Sequence, residues 1–167
     1  MKKCYIMRGV PGSGKTTFAK TLLNGNFAYC SADDFRIVAG EYVYKKEETK
    51  QVHIFCWNRF EKAIKEGVEI VVVDNTNIKK WEYGKYVEFA KENEYDVEIY
   101  AFYAPVGVCF SRQTHGVPFC TMKIMSDTFD PPGNEDFVHF HGTWFTYGEF
   151  LKDCINQGYL NGDNQNE

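Results

Sequence analysis

The chain has 167 residues, a length that suits one domain with a sizeable hydrophobic core. Hydrophobic residues make up 44% and charged residues 25% of the sequence, which is ordinary for a soluble globular protein. The net charge of −4 argues against a protein that coats long nucleic acids by charge alone. A local basic pocket could still grip one end of a strand.

The six cysteines are scattered and form no C-x-x-C pair, which predicts reduced thiols rather than a disulfide framework. No apolar run approaches the roughly 18 residues of a membrane span. The N-terminus also lacks the apolar region of a signal peptide. We therefore expect a cytoplasmic protein with no membrane partner. Residues 1–160 should form a single domain, and the polar tail at 161–167 should be frayed.

A glycine-rich stretch near the N-terminus fits the pattern G-x-x-x-x-G-K-[ST] of a P-loop. It runs from Gly9 to Thr16, after an apolar run at 4–7 that suits a buried strand and before a helical pattern at 17–23. Such a loop holds phosphate through inward-pointing N–H groups and a helix N-terminus. Lys15 would reach the β- and γ-phosphates, and the Thr16 hydroxyl would ligate Mg²⁺.

The P-loop predicts that the chain binds a nucleoside triphosphate, with ATP and Mg²⁺ as the expected pair. The predicted contacts within the loop and the start of its helix are Gly9, Pro11, Gly12, Ser13, Gly14, Lys15, Thr16 and Thr17. The pattern leaves open what happens to the γ-phosphate, so further residues must decide the reaction.

Beyond the P-loop, predicted strands alternate with predicted helices. Strands are predicted at 27–30, 68–73 and 97–102, with a possible edge strand at 137–140. Helices are predicted at 35–38, 45–66, 79–92, 106–114, 119–129 and 147–156. The alternation implies right-handed crossovers and a mostly parallel sheet with helices on both faces. We therefore expect the three-layer α/β fold of P-loop NTPases and kinases.

In a sheet of this kind, ligands bind at the carboxyl ends of the strands. Three polar stretches, at 9–16, 31–36 and 74–77, each follow a predicted strand and should meet there. Asp33 and Arg36 are three residues apart and share one face of a helical turn. The carboxylate could take a proton from an attacking hydroxyl, and the arginine could hold an anionic acceptor bidentately. The alternative is that the acidic residues merely cap a helix.

The aliphatic strand at 68–73 ends in Asp74. This pattern places a carboxylate near Mg²⁺, usually through water. The alternative is a turn residue, because Asp-Asn is turn-prone. Asn77, three residues later, is predicted to cap the helix that follows.

Arg112 and His115 lie one helical turn apart, just before Gly116. Phosphoryl-transfer enzymes need mobile positive charge that closes over the triphosphate. This segment therefore suits a lid that adds Arg112 and His115 to the nucleotide contacts. The alternative is a solvated arginine at the end of a helix.

The order and spacing of four motifs resemble the polynucleotide-kinase-like branch of P-loop kinases, which includes the 5′-kinase domain of the bacteriophage polynucleotide kinase. The motifs are P-G-S-G-K-T-T at 11–17, S-A-D-D-F at 31–35, V-D-N-T-N at 73–77 and H-G-V-P at 115–118. The similarity covers about residues 3–130. The combination is more specific than the P-loop alone.

The resemblance implies that Asp33 is the general base for a 5′-hydroxyl and that Arg36 contacts the neighbouring phosphate. It also implies that Lys15 and Thr16 hold ATP and Mg²⁺, with Arg112 as the lid arginine. Whether residue 74 or 75 lies on the metal side stays open.

The main functional hypothesis is an ATP-dependent phosphotransferase that acts on the 5′-hydroxyl of a DNA or RNA end, with Lys15, Asp33, Arg36 and Arg112 as catalytic residues. A kinase for a modified base, nucleoside or small molecule is one alternative, and an ATP-binding or ATP-hydrolysing module is another. The pair of Asp33 and Arg36 favours transfer, because hydrolysis needs no arginine for an acceptor phosphate.

No motif explains the segment at 137–160. His139 and His141 have the i, i+2 spacing that places two side chains on one strand face. With Cys120 they could mimic a zinc site, but no four-ligand pattern is present. No function is therefore predicted for this segment.

Overall fold

The computed structural model describes residues 1–130, 133, 136–140 and 143–156, without the side chains of residues 147, 151, 154 and 155. The predicted frayed tail at 161–167, the end of the predicted domain at 157–160 and His141 lie outside this part of the chain. Within it, no helix is both long and apolar enough to cross a bilayer.

The described chain contains eight strands and six α-helices. The strands are β1 (Lys3–Gly9), β2 (Phe27–Cys30), β3 (Ile37–Val38), β4 (Glu41–Tyr42), β5 (Ile70–Asp74), β6 (Asp96–Tyr103), β7 (Phe137–Phe140) and β8 (Thr143–Thr146). The α-helices are α1 (Lys15–Thr21), α2 (Thr49–Lys65), α3 (Lys80–Glu92), α4 (Val106–Arg112), α5 (Phe119–Asp127) and α6 (Tyr147–Asn156). Short 3₁₀ helices lie at Asp33–Arg36 and Lys46–Glu48.

Six strands form the central sheet in the order β2-β5-β1-β6-β7-β8. The first five are parallel, and β8 runs antiparallel to β7. The predicted mostly parallel α/β sheet is therefore confirmed. The P-loop follows β1, which lies near the centre of the sheet, so β2 lies to one side of the loop and β6 to β8 lie to the other.

Helices cover both faces of the sheet, as predicted. On one face, α2 buries the apolar stripe expected from its spacing, which consists of Val52, Cys56, Phe60, Ala63 and Ile64. On the other face, α1 packs Ala19 and Phe18 against Met7 and Tyr100. Neighbouring residues of β5 divide between the two faces, with Val71 and Val73 in the first cluster and Val72 in the second.

The predicted helix at 35–38 is wrong. The 3₁₀ turn ends at Arg36, and Ile37 pairs with Tyr42 across a short antiparallel hairpin. Ala39 and Gly40 turn this hairpin with φ angles of 52° and 87°, the positive values of a type I′ turn. Ile and Val are β-branched and favour this extended backbone.

Residues 137–140 form β7 as predicted, but β7 is not an edge strand. It lies between β6 and β8, and the T-W-F-T run at 143–146 supplies the outer strand. The antiparallel pairing places His139 directly opposite Trp144.

Asn77 does not cap α3, contrary to the prediction. Its backbone has φ 46°, and its side-chain amide donates a 2.7 Å hydrogen bond to the carbonyl of Met7. Lys79 occupies the cap position instead, and its backbone N–H donates to the Glu82 carboxylate at 2.8 Å. Asn77 therefore ties the loop after β5 to the end of β1, close to the P-loop.

The cysteines whose side chains the structure describes are free thiols, as predicted. Four of them are buried and Cys120 is exposed. Burial raises the pKa of the thiols of Cys4 and Cys30 above its ordinary value. These residues therefore act as apolar core side chains.

Candidate active site

Backbone geometry fixes the P-loop between the sheet and α4. The N–H of Gly9 donates to the carbonyl of Thr76 at 2.8 Å, which joins the loop to the end of β5. Gly12 has φ 77°, and a Cβ atom there would lie 2.0 Å from the carbonyl oxygen of Cys109 in α4. Gly14, with φ 98°, precedes the first residue of α1. A glycine is therefore required at residue 12 by both conformation and space.

A cavity of about 690 Å³ opens over the P-loop. Of the ten residues predicted to bind nucleotide, all except Gly9 line it, namely Pro11, Gly12, Ser13, Gly14, Lys15, Thr16, Thr17, Arg112 and His115. The loop and the predicted lid therefore face one space large enough for a small-molecule ligand.

Two cations in this cavity have no carboxylate partner in the part of the chain that the structure describes. Lys15 is only 9% exposed, and its ammonium makes no hydrogen bond or ion pair with any residue that the structure describes. Arg112 is exposed at the end of α4 and is likewise unpaired within the described ranges. Because a buried unpaired charge is costly, the arrangement suits an anionic ligand.

Asp74 and Thr16 both interact with the hydroxyl of Tyr29. The Tyr29 hydroxyl donates to Oδ2 of Asp74 and also interacts with the Thr16 hydroxyl. Burial and the Asp74 charge raise the pKa of Tyr29 well above its ordinary value, so the phenol stays protonated. Oδ1 of Asp74 is buried and has no hydrogen-bond partner among the described residues. These oxygens suit a hard divalent cation.

Asn75 faces away from this oxygen cluster. Its Oδ1 accepts a 2.9 Å hydrogen bond from the N–H of Ala32, and its amide nitrogen lies 3.5 Å from the sulfur of Cys56. Of the two alternatives that the sequence leaves open, the geometry favours Asp74 for the metal side.

Asp33 stands at the β2 side of the P-loop with three neighbours. The Tyr42 hydroxyl donates to its Oδ1 at 2.9 Å, and the guanidinium of Arg36 lies 3.9 Å from the same oxygen. His115 of the predicted lid brings Nε2 to 3.9 Å from Oδ2. The Asp33 side chain is 49% exposed, so an acceptor hydroxyl could reach it. Arg36 and Asp33 thus share a face, as their spacing predicts.

Asp34 turns to the other side and pairs with Arg59 at 2.7 Å. Neither aspartate caps the 3₁₀ turn that contains them, and the N–H of Asp33 donates to the Ser31 hydroxyl at 3.3 Å. Helix capping, the alternative that the sequence leaves open for them, therefore does not explain their presence.

The Arg36 side chain is largely buried. It is 5% exposed and donates to the carbonyl of Lys45 at 3.3 Å and to the Thr49 hydroxyl at 3.1 Å. Tyr44 stacks on its guanidinium at 4.5 Å. These contacts join the turn after β2 to the start of α2, and they leave Nε on the Asp33 side. A contact between Arg36 and an acceptor phosphate remains a prediction.

Sequence reasoning missed a second group of cavity residues. The additional lining residues are Phe18, Thr21, Phe102, Gln113, Thr114, His139 and Trp144. The only sequence signal for the pair of His139 and Trp144 is that two short runs of strand-forming residues flank the His-Gly step at 141–142. That signal predicts a hairpin but not its place beside the P-loop.

Residues 5–115 match the protein family described as AAA domain. The match covers well over half of the chain and includes the P-loop, the Asp33 turn, Asp74 and the predicted lid. The chain therefore belongs to this family.

Curated relatives support the resemblance to polynucleotide-kinase-like proteins. Human NEDD4-binding protein 2 is 32% identical over 94 residues, which are 55% of this chain and 5% of that protein. The "Putative bifunctional polynucleotide phosphatase/kinase" of Acanthamoeba polyphaga mimivirus is 32% identical over 95 residues, which are 57% of this chain and 19% of that protein. Rat 2′,3′-cyclic-nucleotide 3′-phosphodiesterase is 29% identical over 104 residues, 58% of this chain and 23% of that protein. The chain thus spans less than a quarter of the length of each.

Solved structures share the fold. A chain of the Pnkp1/Rnl/Hen1 RNA repair complex superposes with a TM-score of 0.62 at 19% identity, over 77% of this chain and 44% of that one. A gluconokinase from Sinorhizobium meliloti gives 0.54 at 16% identity, over 82% and 80% of the two chains. The resemblance stated from the motifs is confirmed at the level of family and fold, and the protein is a P-loop kinase-like domain.

Proposed function

We propose that this protein is an ATP-dependent phosphotransferase that moves the γ-phosphate to a hydroxyl, most specifically the 5′-hydroxyl of a DNA or RNA end. The observation that carries the proposal is the position of Asp33. Its carboxylate is half exposed, lies at the β2 side of the phosphate loop and is contacted by the predicted lid through His115. A module that only bound ATP would not need this arrangement.

The donor half of the site is the cavity over the P-loop. The loop N–H groups and Lys15 would hold the β- and γ-phosphates. Arg112 would add positive charge from the lid as charge develops on the transferring phosphoryl group. The absence of carboxylate partners for Lys15 and Arg112 among the described residues supports this role.

Mg²⁺ is the expected partner of ATP, and the residues beside the P-loop fit it. Thr16 and Asp74 would hold the ion, the latter most simply through water, and the unpartnered buried oxygen of Asp74 supports this assignment. When bound, the ion would neutralise charge on the phosphate oxygens. Tyr29 would keep the Asp74 carboxylate in place by its hydrogen bond.

The acceptor half of the site is the cluster around Asp33. Asp33 would take the proton of the acceptor hydroxyl while the oxygen of that hydroxyl forms a bond to the γ-phosphorus. The bond from this phosphorus to the oxygen that bridges it to the β-phosphate would break, and ADP would leave. Tyr42 would orient the carboxylate through its hydrogen bond, and Arg36 would place positive charge beside it.

The choice of a nucleic-acid end as the acceptor follows the relatives. One curated relative is named as a polynucleotide phosphatase/kinase, and one structural neighbour belongs to an RNA repair complex. A small-molecule hydroxyl is the second candidate acceptor, because a gluconokinase shares the fold over most of both chains.

The test supplies ATP labelled on the γ-phosphate with paired DNA and RNA oligonucleotides that end in a 5′-hydroxyl or a 5′-phosphate. A panel of nucleosides and sugars is assayed in parallel. We expect label to enter only the 5′-hydroxyl oligonucleotides. If label enters only a small molecule, the proposed nucleic-acid acceptor is wrong. If labelled phosphate is released and no acceptor is labelled, the proposed transferase activity is wrong.

Neighbouring aspartates provide a matched pair of variants. Asp33→Asn should lower transfer by at least about 100-fold, the scale of a lost general base, and leave ATP affinity nearly unchanged. Asp34→Asn removes a neighbouring carboxylate that pairs with Arg59 and should keep most of the activity. Full activity of Asp33→Asn would show that the base is misassigned.

A further inference from the structure

The cavity over the P-loop extends away from Asp33. The sheet order places β2 and Asp33 on one side of the P-loop and β6, β7 and β8 on the other. Beyond the P-loop, α1 and the segment at 112–115, the cavity is lined by residues of the second side, Phe102, His139 and Trp144, and not by Asp33 or Arg36. A ligand whose phosphates lie in the P-loop would therefore have the rest of its body against β6 to β8.

The two ends of the cavity differ in chemistry. The P-loop end carries the cations Lys15 and Arg112. The far end is mostly aromatic, with Phe18 from α1, Phe102 from β6, His139 from β7 and Trp144 from β8. Burial lowers the pKa of His139 below its ordinary value, so the imidazole is neutral near pH 7. A triphosphate at one end and a flat uncharged ring at the other match this division.

Trp144 is the centre of the aromatic end. Its ring packs 4.7 Å from Phe18, 4.9 Å from His139 and 5.2 Å from Phe102, measured between centroids. It is nevertheless 39% exposed. The indole is thus held in place by its neighbours while part of its surface faces the cavity, so little side-chain entropy would be lost when a ligand stacks on it.

We propose that Trp144, with His139 and Phe18 beside it, forms the subsite for the nucleobase of the nucleoside triphosphate donor. The inference rests on the proposed use of such a donor. It extends the site to His139 and Trp144, which lie outside the family match at residues 5–115. Because every base has a π-face, stacking on an indole tolerates different bases. We therefore expect ATP, GTP and CTP all to bind.

The decisive comparison is between ATP and inorganic tripolyphosphate, which carries the phosphates without a base. Both are titrated in the presence of Mg²⁺ by calorimetry, against the wild-type protein and its variants. The wild-type protein should bind ATP about 10- to 100-fold more tightly than tripolyphosphate, the scale of one stacked base. Trp144→Ala should remove most of this preference and leave the affinity for tripolyphosphate unchanged.

Two control variants define the outcomes expected without a specific effect on the base. Trp81 is a 77% exposed indole on α3, so Trp81→Ala should change neither affinity. Lys15→Ala should weaken both ligands together, because it removes a phosphate contact. The proposal fails if wild-type protein binds the two ligands equally, if Trp144→Ala keeps the preference for ATP, or if it weakens both ligands alike.

Fluorescence gives a second readout that does not depend on the alanine variant folding. ATP should quench the intrinsic tryptophan emission of wild-type protein, and tripolyphosphate should not. The conservative variant Trp144→Phe should lose the quenching but keep most of the affinity for ATP, since phenylalanine can still stack. Quenching that persists in Trp144→Phe would overturn the proposal. These binding measurements need no acceptor, so they stand apart from a failure of phosphoryl transfer.

Discussion

The hydroxyl of Tyr42 donates a 2.9 Å hydrogen bond to Oδ1 of Asp33, and the Tyr42 ring packs 4.3 Å from the ring of His115. Burial and the nearby Asp33 charge raise the pKa of Tyr42, so the phenol remains a hydrogen-bond donor over the working range of pH. The β3–β4 hairpin thus connects the proposed base with the predicted lid.

Tyr42→Phe removes this hydrogen bond and keeps the ring that packs against His115. We expect kcat for phosphoryl transfer to fall about 5- to 30-fold, because a hydrogen bond to a charged group contributes on the order of 1–2 kcal/mol at a half-exposed site. Steady-state kinetics with a saturating 5′-hydroxyl oligonucleotide measures the change. Tyr44→Phe, on the same segment, alters a ring that stacks on Arg36 and should retain wild-type kcat. Equal losses in the two variants would contradict the special role of Tyr42.

Gly12→Ala should disrupt the P-loop more than Gly14→Ala. Both glycines have positive φ angles, so each substitution strains the backbone by roughly 1–2 kcal/mol. At residue 12 the added Cβ would also lie 2.0 Å from the Cys109 carbonyl, whereas at residue 14 it would have no atom of the described residues within 4 Å. Gly12→Ala should therefore lower the free energy of unfolding by about 3 kcal/mol or more. Urea denaturation of both variants measures the difference. Equal losses in the free energy of unfolding would show that α4 shifts away from the added Cβ without destabilising the fold.

The sequence predicts which residues line the P-loop end of the cavity, because that part of the cavity is formed by neighbouring residues of the chain. The P-loop depends on consecutive residues, and all of its predicted contacts except Gly9 line the cavity. The sequence also predicts that Asp33 and Asp74 lie near the P-loop, because each follows a strand and the carboxyl ends of parallel strands meet at one edge of the sheet.

The environment of Asp33 and the aromatic end of the cavity are not predictable in this way. Tyr42 reaches Asp33 only because a hairpin replaces the predicted helix at 35–38. Trp144 reaches Phe18 across more than a hundred residues of chain, because β8 pairs outside β7. Such contacts depend on strand order and register, which short-range patterns do not specify.

Asp74→Asn tests the proposed metal side. The amide keeps the shape of the side chain and can still accept the Tyr29 hydrogen bond, but it lacks the charge that a divalent cation prefers. We expect the Mg²⁺ concentration for half-maximal activity to rise about 10-fold or more, on the scale of a perturbed metal ligand. A titration of activity against Mg²⁺ at saturating ATP measures it. Asp34→Asn should leave the titration unchanged, and an unchanged titration for Asp74→Asn would remove Asp74 from the metal site.

Arg8→Met tests a buried arginine that joins β1 to the loop after β5. The guanidinium is fully buried and donates to the carbonyls of Asn77, Ile78 and Asp130 at 3.0–3.2 Å. Methionine fills much of the same volume but leaves these carbonyls without their donor. We therefore expect the free energy of unfolding to fall by about 3–5 kcal/mol.

The matched control is Arg59→Met, which breaks the exposed ion pair with Asp34. An exposed pair contributes about 1 kcal/mol or less, so this variant should stay close to wild type. Guanidinium denaturation of both variants gives the two values. Because Asn77 also donates to the carbonyl of Met7, Arg8→Met should loosen the attachment of this loop to β1 and weaken ATP binding as well. Similar stability in the two variants would mean that the buried hydrogen bonds of Arg8 contribute no more than a surface ion pair.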